Sequence, residues 1–196
     1  MEKIKKYFLP SILFLILILP MFFGVYLEFL YFRKLNFAIF FLLIIGVIFF
    51  LIIGKLIERY GYNYQNIKIF RKHDVINALI SKKNKVILWL FFPMIMIIEE
   101  LIFRYYLVGF LVVTLKSEII LSLFVSSLIF SLFHIHTWFS YKSIRILLIN
   151  LSFSFLLGLF NGYILLNLGI VPCMIIHYGV VMILYYNIYR RYFKIS

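Results

Sequence analysis

The sequence predicts an all-α, polytopic transmembrane helical bundle of about six spans, and three observations carry that prediction. Hydrophobic residues make up 65% of the 196-residue chain and charged residues 14%, against roughly 45–50% and 25% in soluble domains. The apolar residues come in runs of about 20, the length that crosses a bilayer as a helix. The basic residues, which give a net charge of +13, flank those runs rather than interrupt them. In a soluble protein that charge would point to nucleic acid; here it points to anionic lipid headgroups.

Each run is expected to form one span. The first, Tyr7 to Tyr31, follows Lys3, Lys5 and Lys6. It is too long for a signal-peptide core of ~7–15 residues, and no alanine precedes Ala38 to make a small-residue cleavage site. Pro10 and Pro20 are candidate kinks. Arg33 and Lys34 mark a turn, and the uncharged run Phe37 to Gly54 forms the second span, with Phe37, Phe40, Phe41, Phe49 and Phe50 facing lipid or packing. From Lys55 to Lys85 eight basic residues mix with Tyr60, Tyr62 and Tyr64, a composition suited to a connector lying at the headgroups. The remaining spans are Val86 to Leu115, Glu118 to His136, Ile144 to Leu168 and Ile170 to Tyr189. The chain thus divides into an N-terminal two-span region with its connector, residues 1–85, and a helical core, residues 86–196.

Orientation follows from the basic residues. With the N-terminus inside, sixteen of the twenty Lys and Arg fall in inner segments and three in outer loops. The positive-inside rule then places both termini in the cytoplasm of a multi-pass plasma-membrane protein. The single cysteine, Cys173, reads as a small packing residue.

The one stretch that breaks the apolar pattern is Glu99-Glu100-Leu101-Ile102-Phe103-Arg104, in mid-span. A charge near a bilayer centre costs ~2.5–3.5 kcal/mol on insertion scales, so such a cluster faces a protein interior or a watered cavity and marks a working site. Glu100 and Arg104, four apart on a helix, share a face and form an ion pair. Glu99 projects about 100° away from Glu100, which frees it to act as a general base on water. His134 is the histidine it is expected to meet, with His177 joining from the last span. His136, two residues on from His134, shares the pocket only if the helix ends there, and otherwise sits at the interface.

The order Glu99-Glu100-x-x-x-Arg104, Phe130-x-x-x-His134, a Gly158-bearing helix and a last-span His177 resembles the motifs of the CPBP family, the intramembrane proteases that include Rce1-type CAAX-processing endopeptidases and bacterial Abi proteins. The resemblance implies a glutamate-dependent endopeptidase acting on membrane-associated peptides, prenylated CAAX-type or bacteriocin and secreted-peptide substrates, with no nucleic-acid partner. Glu99 and His134 would activate the attacking water, Glu100 and Arg104 would balance charge, and His177 would help hold the oxyanion. The family's final motif resembles His-x-x-x-Asn, whereas Val181 stands here. Since a missing oxyanion donor costs ~2.7–4 kcal/mol, a substitute is needed, for which Asn161, Tyr178 and Tyr185 are the candidates. No cofactor is expected; the alternative is zinc on Glu99, His134 and His177. Two rivals remain: an inactive scaffold or immunity protein of the same architecture, and a proton-coupled transporter, against which stands the absence of an inverted repeat of interrupted spans.

Overall fold

The computed structural model describes residues 2–30, 36–81 and 85–195 of the chain. Among them every element is helical. In chain order these are α1 (Glu2–Phe22), α2 (Phe37–Leu56), α3 (Tyr64–Ile69), α4 (Asp74–Ser81), α5 (Phe92–Glu100), α6 (Ile119–Phe133), α7 (His136–Tyr141), α8 (Ile144–Leu168) and α9 (Ile170–Ile195). Four helical stretches are long and apolar enough to cross a membrane, 37–61, 119–141, 144–168 and 170–193, and the apolar part of α1, Tyr7–Phe22, is shorter. The chain is an integral membrane protein with an all-α fold.

The first expected span ends early. α1 stops at Phe22, because the chain turns through Gly24 at φ +85° and Tyr26 at φ 56°, neither helical. The Tyr105 hydroxyl donates to the Val25 carbonyl at 2.7 Å, tying the turn to the core. Tyr31, Arg33 and Lys34 lie outside the described residues. The second span runs longer than expected, since α2 continues through a wide π turn, Ile57–Gly61.

The basic connector buries one of its faces and exposes the other. Tyr62, Ile67, Phe70 and Ile76 are buried in one cluster with Phe50 of α2, Ile146, Phe153 and Leu157 of α8, and Val180, Leu184 and Ile188 of α9. Tyr60 and Tyr64 stay exposed with the charges, while the isoleucines and Phe70 of α3, α4 and the turn between them pack inward.

The expected third span is one helical run with unusual hydrogen bonding. α5 is preceded by a π stretch, Ile87–Phe91, and followed by two more, Leu101–Val108 and Phe110–Thr114. Pro93 has no N–H to give, and in the turn before it the Phe92 N–H reaches back five residues to the Ile87 carbonyl. π stretches are rare and occur mostly as short bulges at functional sites. Here they bracket Glu99 and Glu100.

α6 packs along α8 through small residues. Ser122, Ser126, Ser127 and Ser131 are all buried, and each hydroxyl donates to a backbone carbonyl; Ser131 reaches the Leu151 carbonyl of α8 at 2.7 Å. Small residues let membrane helices approach closely, and these hydroxyls leave no unpaired donor in the contact. Opposite them, a Cβ on Gly158 would stand 2.9 Å from the Ser127 Cβ, and one on Gly162 would stand 2.8 Å from Leu123 Cδ2.

Candidate active site

Glu100 is at the centre of the buried polar cluster. It is fully buried, as are Arg104, Asn161 and His177 to within 2%. Its Oε1 accepts from His177 Nδ1 at 2.7 Å and from Asn161 Nδ2 at 2.9 Å, and its Oε2 lies 3.5 Å from Arg104 Nε. The expected ion pair is therefore present, and two further helices, α8 and α9, contribute to it. A carboxylate enclosed in this way is held in place and, being fully buried, meets no open space.

Arg104 is held by packing as much as by charge. Its guanidinium lies over the Phe130 ring, 3.9 Å from the centroid, a cation–π contact that gains strength away from water. Gly158 makes room on the other side, since a Cβ there would meet an Arg104 Nη at 3.0 Å. The Phe130 ring also stands edge-on to His134 and His177, at centroid distances of 4.9 and 5.6 Å. Phe130 and Gly158 thus shape the site without polar chemistry of their own.

Glu99 occupies a different position. Its carboxylate borders a cavity of about 480 Å³ that His134, His177 and Val181 also line. The nearest imidazole is that of His177, whose Nε2 lies 3.7 Å from Glu99 Oε2. His134 was expected as the direct partner; it lines the same cavity, with its Nδ1 3.0 Å from the Phe130 carbonyl. That contact exists because α6 ends at Phe133, leaving His134 as its cap with non-helical geometry. The same break lets His136 line the cavity too, with the two rings 5.9 Å apart. His136 is exposed, at the mouth.

The candidates for an oxyanion donor separate clearly. The Asn161 amide is spent on Glu100 and on the Cys173 carbonyl, and the Cys173 thiol returns a bond to the Asn161 carbonyl at 3.2 Å. The Tyr178 hydroxyl donates to the Leu88 carbonyl and does not border the cavity. Tyr185 does border it, but eight residues beyond His177 on α9, ~12 Å along the helix axis, so none of the three candidates takes the oxyanion. Sequence reasoning passed over His73, which lines the same cavity and pairs with Tyr185 at 3.0 Å. All four histidines of the chain therefore line one cavity, a concentration that their total alone could have signalled.

Among the described residues no three His, Cys, Asp or Glu side chains are grouped so as to hold a metal ion. For the alternative zinc set of Glu99, His134 and His177, the imidazole nitrogens available would be the two Nε2 atoms, since His177 Nδ1 is engaged by Glu100 and His134 Nδ1 by a carbonyl. What the arrangement offers is a carboxylate and imidazoles at the wall of one cavity. These can take a proton from water and return it to a leaving group.

No match was found among curated proteins or among solved structures. The family model for type II CAAX prenyl endopeptidases, Rce1-like, matches residues 82–183, just over half of the 196 residues. That stretch holds Glu99, Glu100, Arg104, His134, Asn161 and His177 together. The chain belongs to the Rce1-like family of type II CAAX prenyl endopeptidases.

Proposed function

We propose that this protein is an intramembrane endopeptidase that hydrolyses a peptide bond of a membrane-associated substrate with water activated by Glu99. The observation that carries this reading is the inequality of the two glutamates. Glu100 is buried and engaged by His177, Asn161 and Arg104, while Glu99 borders the cavity.

In the proposed cycle a water beside Glu99 gives up a proton to the carboxylate as its oxygen attacks the carbonyl carbon. The tetrahedral oxyanion is stabilised by His177, whose ring faces a carboxylate at each nitrogen and so presents Nε2–H to the cavity, while His134, which donates Nδ1–H to the Phe130 carbonyl, accepts from the attacking water at Nε2. Collapse breaks the C–N bond, and the proton held by Glu99 passes to the leaving amine. Glu100 keeps the His177 ring in register, and Arg104 balances its charge. No metal is invoked. Family membership favours lipidated, CAAX-type C-termini as substrate, with transmembrane or secreted peptides as the broader class. The excess of basic residues in the segments read as inner favours the plasma membrane with both termini cytoplasmic.

The test is cleavage of a panel of membrane-tethered reporter peptides, prenylated and not, by the purified protein in lipid. Wild type is compared with Glu99→Gln and His134→Ala, with and without chelator. Turnover that both substitutions abolish and chelator leaves unchanged supports the reading. Chelator sensitivity overturns its metal-free form. A wild type that cuts nothing favours the inactive scaffold, for which Val181 on the cavity wall is the specific observation.

A further inference from the structure

The cavity runs along one face of α9: His177, Val181, Leu184, Tyr185 and Ile188 all line it. Its inner end holds Glu99 and His177. About 12 Å further along the helix axis, at ~1.5 Å per residue, stands a second polar pair that the hydrolytic chemistry does not use, Tyr185 and His73.

The hydrogen bonds of this pair fix where its protons lie. The Val75 backbone N–H donates to His73 Nδ1 at 3.3 Å, so Nδ1 is an acceptor and the ring proton sits on Nε2. Nε2 is 3.0 Å from the Tyr185 hydroxyl, which must then accept. Having accepted from His73, the hydroxyl retains its own proton, for which no acceptor is present among the described residues. The two rings are tilted 30° at a centroid distance of 4.5 Å, and the Phe92 ring stands edge-on to Tyr185 at 5.8 Å. The tyrosine is thus fixed in rotamer as well as in hydrogen-bond sense.

We propose that Tyr185 is a substrate-positioning residue: oriented by His73, its hydroxyl donates to a backbone carbonyl of the bound peptide, away from the scissile bond. An aromatic side chain on a helix leans back towards the helix N-terminus, here towards Val181 and His177, which brings the hydroxyl nearer to the chemistry than its Cα. Extended peptide advances ~3.3–3.6 Å per residue, so the contacted carbonyl lies two to four residues from the bond that is cut. The apolar wall between the two polar ends, formed by Val181, Leu184, Phe92 and Met96, accommodates the intervening side chains. A carbonyl in such a lining needs a donor, and Tyr185 is placed to supply it.

This inference rests on the peptidase reading, and the experiment separates the two. A cleaved reporter is assayed at full length and trimmed to two residues on either side of the cut, with wild type, Tyr185→Phe and His73→Leu. Binding of fluorescent members of the same reporter panel is measured in parallel in lipid nanodiscs, using Glu99→Gln to prevent turnover, with and without Tyr185→Phe. Tyr185→Phe, which keeps the ring stack, is expected to raise KM for the full-length peptide about fivefold and leave kcat unchanged. The trimmed peptide should be handled equally by both. His73→Leu, which leaves the hydroxyl present but unoriented, should raise KM for the full-length peptide by about twofold. If the pair merely ties α4 to α9, both lengths will suffer alike and the melting midpoint will fall, which overturns the proposal. Equal KM and equal Kd in wild type and Tyr185→Phe overturn it while the peptidase reading stands. If wild type cuts nothing, the peptidase reading falls. The proposal is then decided by Kd alone: a fivefold weakening on Tyr185→Phe supports it, and no weakening or no binding sinks it.

Discussion

At the scale of single residues, Glu99 and Glu100 are adjacent in sequence and opposite in role. Glu99→Gln keeps the size of the side chain and removes the base, so turnover is expected to fall by at least ~100-fold. The melting midpoint in lipid should stay within about 2 °C of wild type, because the Glu99 contact with His177 Nε2, at 3.7 Å, is far longer than the 2.7 Å bond that Glu100 makes to the same ring. Glu100→Gln should behave in the reverse order. It leaves Arg104 buried without a counter-charge, and removing one partner of a buried pair costs ~3–5 kcal/mol, a fall on the order of 10 °C for a chain of this size. Thermal unfolding followed by differential scanning fluorimetry checks both, and equal midpoints for the two variants would contradict the assignment. The Glu100–Arg104 pair was legible in the sequence, since four-residue spacing on a helix puts two side chains in reach. The Asn161 and His177 bonds to the same carboxylate were not, because contacts across 61 and 77 residues depend on how three helices pack. Nor was the preference of Glu99 for His177 over His134, which follows from the end of α6 at Phe133.

At the scale of elements, the junction of α6 and α8 is set by two glycines and four serines. Gly158→Ala would place its Cβ 2.9 Å from Ser127 and 3.0 Å from the Arg104 guanidinium. The serine belongs to a packed helix and cannot withdraw, so the helices must separate and the guanidinium must shift on Phe130. The expected cost is ~1–3 kcal/mol, together with a loss of turnover that Glu100 and His177 share through their contact with the displaced cluster. Gly179→Ala is the control: nothing lies within 4 Å of its added Cβ, and alanine is favoured over glycine in a helix by ~0.5–1 kcal/mol. The melting midpoint should drop in the first variant and hold or rise in the second, and a neutral Gly158→Ala would show that this contact is not tight. The apolar runs made α2, α6, α8 and α9 visible in the sequence. The π stretches around α5 and the early end of α1 were not, since both arise from local backbone choices at Pro93, Gly24 and Tyr26 that hydropathy does not register. The burial of α3 and α4 was missed for a related reason: lysines and arginines dominated a segment whose isoleucines and phenylalanines do the packing.

For the whole molecule, the open question is the side from which substrate and water enter. Of the residues that line the cavity, Tyr7 lies in the first turns of α1, His73 and Asp74 at the start of α4, and His136, Ser140 and Tyr141 in α7, with His136 and Ser140 exposed. These segments adjoin Lys55 to Lys85, Lys142 and Arg145, the stretches that the positive-inside rule assigns to the cytoplasm. The exposed residues of the cavity lining, His136 and Ser140, therefore fall beside the basic residues, where anionic lipid would meet the basic surface at ~1 kcal/mol per residue. The cavity should open to the cytoplasm. A single cysteine can report this, because the native Cys173 is fully buried and leaves a silent background. Ser140 is exposed and lines the mouth, so Ser140→Cys is expected to react with a membrane-impermeant maleimide in inverted membrane vesicles and stay unmodified in right-side-out vesicles or intact cells. Unmodified wild type in both preparations establishes that Cys173 contributes nothing. Labelling from the outside alone would reverse the topology, and substrate would then have to be presented to the site from the opposite face of the membrane.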